Sequence, residues 1–206
     1  MISLMGYYTF CLWYNVTGMD KIKQVIEEIE SIKQDYIVIA IDGRCASGKT
    51  TLAEKLAQYF HANVFHMDDY FLRKEQRTKE RLSEIGGNVD RERFIEEITS
   101  KLHSDEDIVF APFDCQTMSV KEKRIVKQTH ITIVEGSYAM HPVLRKYYDY
   151  MIYLTIDPQT QQKRIYERNP ERYEDFINRW IPLEETYFTS CRFERICNIC
   201  IKAEEW

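Results

Sequence analysis

The 206-residue chain has no surplus of positive charge: 28 Lys and Arg stand against 33 Asp and Glu, a formal net charge of −5. That excludes a general basic field for nucleic acid or an anionic membrane, so any anion site has to be built locally. A disulfide framework is also missing. The six cysteines, Cys11, Cys45, Cys115, Cys191, Cys197 and Cys200, belong to a chain long enough to form a core without staples, and they read as reduced thiols of a cytoplasmic protein. Cys197 and Cys200 make a CxxC, but no second CxxC or zinc-spaced His pair accompanies it, which favours structural thiols. No Asn-Lys pair occurs anywhere in the chain, so the NKxD guanine motif of a GTPase switch is absent. Nor is there an internal repeat, a low-complexity tract or a linker, and residues 20–206 are expected to form one domain. Residues 1–19 contain no Asp, Glu, Lys or Arg. They have no basic start or small-residue cleavage site, and Ser3, Thr9, Asn15 and Thr17 interrupt them as a span. An apolar arm and a non-native start are the two readings of that segment.

What the chain does have is alternation. Asp20 can cap a helix in which Ile22, Val25, Ile26, Ile29 and Ile32 recur at helical spacing. Tyr36 to Ile41 is a β-branched run typical of a strand buried on both faces. Further apolar runs at Val64 to His66, Ile131 to Val134, Met151 to Ile156 and Ile196 to Ile201 are separated by helical patterns at about 90–103, 158–168 and 171–190. The pattern predicts an α/β fold with a parallel sheet between helices. The charged stretch 73–81 reads as a solvated loop or helix face.

Residues Gly43, Gly48, Lys49 and Thr50 fit GxxxxGK[ST], with a strand pattern before and a helix pattern after. The loop residues Gly43, Ala46, Ser47, Gly48, Lys49, Thr50 and Thr51 are therefore the candidate nucleotide-binding set. Backbone N–H groups and the helix N-terminus suit phosphate oxygens, Lys49 supplies a point charge to the β and γ phosphates, and the Thr50 hydroxyl suits Mg²⁺. Three carboxylates then bear on what the phosphate is for. Glu135, in "HITIVEG", ends a strand at the carboxyl edge of the sheet, where open α/β folds bind ligands, and is a candidate Mg²⁺ partner. Asp68, in "VFHMDDYF", ends another strand; it is a candidate general base for an alcohol acceptor, on the metal side of the site with Thr50 and Glu135. Its neighbour Asp69 reads better as a capping or solvated residue. Asp90 precedes a helix and is open to two readings, an ordinary N-cap and an acceptor ligand.

In order along the chain stand "GRCASGKTT", "MDDYF", "GGNVD", "PFD", "IVEG", "QQKRIYER" and "RWIPLEETYF". With this set, from about Ile37 to Ile201, the chain resembles the uridine kinase family, in the wider group that includes phosphoribulokinase and bacterial pantothenate kinase. The resemblance implies a three-layer P-loop kinase fold with a five-stranded parallel core. It also implies use of ATP and Mg²⁺ to phosphorylate a primary hydroxyl of a small molecule, with no nucleic-acid or membrane partner; a homo-oligomer is left open. By position, Asp68 is similar to the family's base, Thr50 and Glu135 to its metal-side residues, and Asp90 to the residue that holds sugar hydroxyls. Arg164, Arg168 and Arg172, in a lid-like segment at about 158–175, correspond to arginines that reach phosphates and acceptor, the alternative being a solvated face paired with Glu167 and Glu171. The departure lies in "APFDCQTM". Where uridine kinases recognise the pyrimidine with a Tyr and, five positions on, a His, this chain has Phe113 and Met118. Phe113 can stack but has no hydroxyl, and Met118 cannot donate a hydrogen bond. The expected acceptor therefore offers a primary hydroxyl, a neighbouring hydroxyl for Asp90 and a flat or apolar group for Phe113, with uridine and cytidine poor. A phosphate-acceptor kinase of the nucleoside monophosphate type and a regulatory P-loop ATPase are the alternatives. His66 and His141 share no metal spacing and read as packing residues or as supports one step removed from the site.

Overall fold

The computed structural model of the protein describes residues 18–203. Its main elements are α1 (Gly18–Ser31), β1 (Ile37–Gly43), α2 (Lys49–Phe60), β2 (Asn63–His66), β3 (Ile131–Glu135), β4 (Tyr150–Thr155), α3 (Pro158–Arg168), α4 (Ile181–Cys191) and β5 (Ile199–Lys202). The strands form one parallel sheet in the order β2-β3-β1-β4-β5. Every residue of β1 is buried, as its unbroken apolar run requires. Successive side chains leave opposite faces. Ile37, Ile39 and Ile41 pack with Val25 and Ile29 of α1 and Leu52, Ala53 and Leu56 of α2. Val38 and Ala40 join a second cluster holding Phe94, Ile98, Tyr187 and Phe188. Each such aliphatic residue contributes roughly 1.5–3 kcal/mol relative to exposure, so the sheet is clamped from both sides.

Topology fixes where a ligand can sit. β1 leads through α2 to β2 on one side of the sheet order, while β3, its neighbour, leads to β4 on the other. The two connections also cover opposite faces: α2 lies in the first cluster, and Tyr138, Ala139, Met140 and Leu144 after β3 lie in the second. Adjacent strands whose connections part in this way leave a crevice beyond their carboxyl ends. The register pairs Ile41 with Glu135, and Glu135 with His66, so the ends of three strands meet at one level.

Between β2 and β3 the chain makes a long excursion, residues 67–130. It contains a helix at Arg91–Phe94 that widens into a π-type turn over Ile95–Thr99, and two short antiparallel ladders pairing Ile108–Phe110 with Arg124–Val126 and Phe113–Asp114 with Ser119–Val120. The charged stretch 73–81 is a solvated loop and helix face, as expected, with Arg73, Lys74, Glu75, Arg77, Thr78, Lys79 and Glu80 exposed; its last residue turns inward. Arg81 is only 16% exposed in its side chain and donates to the carbonyls of Gly87 and Val89, so it holds the turn ahead of Asp90. Asp20 lies inside the first turn of α1 rather than capping it. The apolar segment 1–19 falls outside the described residues, apart from Gly18 and Met19 at the start of α1. Among the described residues no helix is long and apolar enough to cross a membrane. The Sγ atoms of Cys197 and Cys200 lie 3.1 Å apart in a thiol–thiol contact, well beyond a disulfide bond length.

At the end of β1 the Asp42 carboxylate is fully buried and accepts from Gly43 N–H (2.7 Å), Met140 N–H (2.8 Å) and the Tyr187 hydroxyl (2.7 Å). Burial pushes its pKa up to about 6, against the lowering effect of the Tyr187 hydrogen bond. A folded value above the unfolded one means that Asp42 contributes most stability below about pH 4, and that this is lost as pH rises through about 6. Tyr187→Phe should therefore destabilise the fold by about 1–3 kcal/mol, more at pH 8 than at pH 5. Urea unfolding at the two pH values measures it; an equal loss at both would separate Tyr187 from the Asp42 charge.

Candidate active site

The loop between β1 and α2 turns through two left-handed residues, Ala46 at φ 61° and Gly48 at φ 91°. Gly48 is the N-cap of α2 and offers no side chain. The first-turn N–H groups of α2 are thus left for an anion, with the helix dipole behind them. A Cβ on Gly43 would meet the Leu154 carbonyl oxygen at 2.0 Å, which makes glycine obligatory where β1 passes β4. Lys49 Nζ donates to the carbonyls of Gly43 (2.8 Å) and Arg44 (3.1 Å), arching its ammonium over the loop.

Two helices brace the crown of this loop. From α3, Gln161 donates to Cys45 O (3.1 Å) and Arg164 to Ala46 O (3.2 Å). From α4, the buried Glu184 accepts from Cys45 N–H (2.9 Å) and the Ser137 hydroxyl (2.6 Å), while Glu185 takes both ends of the Arg44 fork. Burial raises the Glu184 pKa and Lys49 opposes it.

A cleft of about 850 Å³ opens above the loop. Ala46, Gly48, Lys49, Thr50 and Thr51 line it, together with Asp68, Glu135, Arg164, Arg168 and Arg172. Thr50 Oγ1 donates to Glu135 Oε1 at 3.3 Å, and His66 Nδ1 meets the same oxygen at 2.5 Å. That hydrogen bond raises the His66 pKa against the effect of burial. Asp68 stands open to water but within the cleft walls; loss of bulk solvent there raises its pKa, Lys49 lowers it, and Glu135 raises it further.

Four expected site residues do not line the cleft. Gly43 lies beneath the loop against β4, and Ser47 is fully buried, its N–H spent on Arg44 O and its hydroxyl unpartnered. Asp90 is 2% exposed and caps the helix Arg91–Phe94, with one oxygen on Arg93 N–H and the other on Gln76 Nε2, so of its two readings the N-cap is the one the structure displays. Phe113 is buried in its short ladder, whereas Cys115 and Met118 of the same hairpin do face the cleft.

Other lining residues carried no earlier assignment: Arg77 and Asn88 from the excursion, and Phe176, Arg179 and Trp180 beyond Arg172. The last three sit on a π-type turn, Phe176–Trp180, whose spacing brings them to one side. The available signal was "RWIPLEETYF", which holds Arg179, Trp180 and Glu184 together.

No protein-family model and no curated protein matches the chain. Solved structures do. A possible uridine kinase from Bacillus stearothermophilus is similar at 25% identity and a TM-score of 0.71, over 89% of this chain and 98% of that one. A candidate fructose transport system kinase from Silicibacter sp. gives 19% and 0.66, over 88% and 97%. Phosphoribulokinase from Rhodobacter spheroides gives 10% and 0.55, over 82% and 70%. The chain has the three-layer fold of the P-loop kinases, and its structural neighbours include the group that its motifs resemble.

The bracing carries an expectation of its own. Glu184→Ala leaves Cys45 N–H and Ser137 without their acceptor and should weaken triphosphate binding by about tenfold, the worth of one or two such hydrogen bonds. Glu184→Gln keeps an acceptor and should lose less. Titration with a fluorescent ATP analogue distinguishes them, and equal affinity in all three proteins would show that the brace does not hold the loop.

Proposed function

We propose that the protein is an ATP- and Mg²⁺-dependent kinase that transfers the γ-phosphoryl group to a hydroxyl, most simply a primary one, of a small molecule. The observation that carries this reading is the meeting of Lys49, Thr50, Asp68 and Glu135 in one cleft faced by Arg164, Arg168 and Arg172. A regulatory ATPase shares the loop and can use a carboxylate to position water, so dependence of turnover on an acceptor is what separates the two readings.

The donor set suits magnesium. Thr50 and Glu135 offer a hydroxyl and a carboxylate, hard oxygen ligands close enough to share a hydrogen bond. Among the described residues no group of three or more His, Cys, Asp or Glu could hold a metal unaided. Mg²⁺ requires none, because it is held through one or two protein oxygens and the substrate's phosphates. When bound, it neutralises charge on the β and γ oxygens. Glu135 is oriented by His66, which occupies one side of Oε1. Lys49 supplies a compact cation at the mouth of the loop. Asp68 takes the acceptor's hydroxyl proton as the new O–P bond forms, and its raised pKa makes it a better base than an ordinary aspartate. Arg164 and Arg168 lie against Ala46 and Cys45 of the loop, and Arg172 faces them from the following turn. Their charge favours the spread of negative charge over the transferring group.

The reading predicts that Lys49→Ala abolishes transfer and weakens triphosphate binding. Asp68→Asn should keep ATP bound but lower turnover by about 10²-fold or more, the usual contribution of a general base, with Asp69→Asn milder. Since Asp68 acts ionised, turnover in the wild type should rise with pH through a value above the ordinary 3.8, and this acid limb should disappear in Asp68→Asn. Coupled ADP-release assays over a panel of alcohols and monophosphates are the measurement. ATP hydrolysis indifferent to every acceptor would refute the kinase reading, and a reversed order of the two aspartate variants would move the base to Asp69.

A further inference from the structure

The excursion 67–130 contributes Asp68, Phe71, Arg77, Leu82, Asn88, Cys115 and Met118 to the cleft, the wall facing the phosphate loop. Asp68 is its one acid there, and Arg77 its one cation. Arg77 differs from its neighbours. Of the five arginines between residues 73 and 93, four are paired with carboxylates: Arg73 with Glu75, Arg81 and Arg91 with Glu84 and Glu92, and Arg93 with Asp90 and Glu97. No carboxylate among the described residues pairs with Arg77, although Glu75, Glu80 and Glu84 are close in sequence. Its Nε instead donates to Leu72 O at 3.0 Å. That bond fixes the guanidinium while leaving both terminal nitrogens, the bidentate edge suited to a carboxylate or phosphate. Asp68, Arg77, Cys115 and Arg172 all line the cleft, and the Cys115 thiol, raised in pKa first by burial and then by Asp68, is lowered by Arg77 and Arg172.

We propose that Arg77 forms an anion subsite for the acceptor, so that the hydroxyl compound phosphorylated by this protein also carries a phosphate or carboxylate group. The inference rests on the kinase reading for the meaning of "acceptor", and on the unpaired Arg77 for the charge. Lys49, Arg164 and Arg168 lie at the phosphate loop and suit the triphosphate. Arg77 stands on the other wall, with Arg172 able to serve either ligand. A neutral nucleoside would leave the exposed Arg77 fork to water, whereas an acidic polyol or hydroxy acid would pair with it and present its hydroxyl to Asp68.

Matched pairs differing only in the anionic group test this: glycerate and glycerol, pantothenate and panthenol, ribulose 5-phosphate and ribulose. Calorimetric titration is done on the full chain with Mg²⁺ and a non-hydrolysable ATP analogue, and kcat/KM is measured with ATP. The expected result is that in at least one pair the anionic member binds at least about tenfold more tightly and is the better substrate, as a charge-assisted hydrogen bond provides. Arg77→Gln should carry that ratio toward one, and Arg77→Lys, which keeps charge but not the fork, should restore it in part. The carboxylate and phosphate pairs separate the two sources of charge. Equal binding within every pair, binding of neither member, or an unchanged ratio in Arg77→Gln overturns the subsite. Binding of an anionic member without turnover of any acceptor would overturn the kinase reading and leave the anion site standing.

Discussion

One sealed carboxylate holds the geometry together. Asp42 terminates the central strand, and its three donors come from the first residue of the phosphate loop, from the β3–β4 connection and from α4. A buried charge or its neutral acid is tolerated only with such partners. Three of the segments that border the cleft are therefore positioned by one group, and loosening any of them leaves polar atoms unsatisfied in the core. The Tyr187 ring that supplies one donor also packs against Tyr138, Phe188 and Phe193, which carries the constraint into the second hydrophobic cluster.

The cleft concentrates charge that the whole chain lacks. Lys49, Arg77, Arg164, Arg168, Arg172 and Arg179 line it, against Asp68, Glu135 and Glu184. A protein of net charge −5 thus presents a cationic cavity, which favours anionic ligands there without general attraction for polyanions. Of the three acids, Glu184 is consumed in bracing the loop and Glu135 is engaged by His66 and Thr50. Asp68 is left as the carboxylate open to an incoming proton.

Local signals in the sequence were reliable where local physics decides. Buried strands need apolar runs, and all five appeared within a few residues of their places, from Ile37–Gly43 to Ile199–Lys202. The loop needs glycine and lysine at fixed spacing, and strand ends place Asp68 and Glu135 at the sheet's carboxyl edge, in the cleft. Long-range partnerships were not legible. Glu184 looks like any polar residue on a helix until Cys45 N–H is found beside it. Phe113 and Met118 occupy neighbouring places in one hairpin, yet only Met118 turns toward the cleft; the pairing of Phe113 with Val120 decides that, and it is a tertiary fact. Asp90 carried two readings because a capping carboxylate and a binding carboxylate have the same sequence signature.

The braces also relate the loop to the wall above it. Cys45 and Ala46 are gripped by Gln161 and Arg164 of α3 on one side and by Glu184 of α4 on the other. The segment joining these helices, residues 169–180, carries Arg172, Phe176, Arg179 and Trp180 into the cleft. Both ends of that segment are thus anchored on the crown of the phosphate loop, through hydrogen bonds to its backbone rather than through flexible side-chain contacts alone. Cys45 and Ala46 are held from both sides, by hydrogen bonds whose loss would leave backbone polar groups of the loop without partners. The lid-like segment at about 158–175 therefore starts on α3, which donates to the crown of the phosphate loop through Gln161 and Arg164, and continues into the turns after Asn169, whose place in the wall the two helices share.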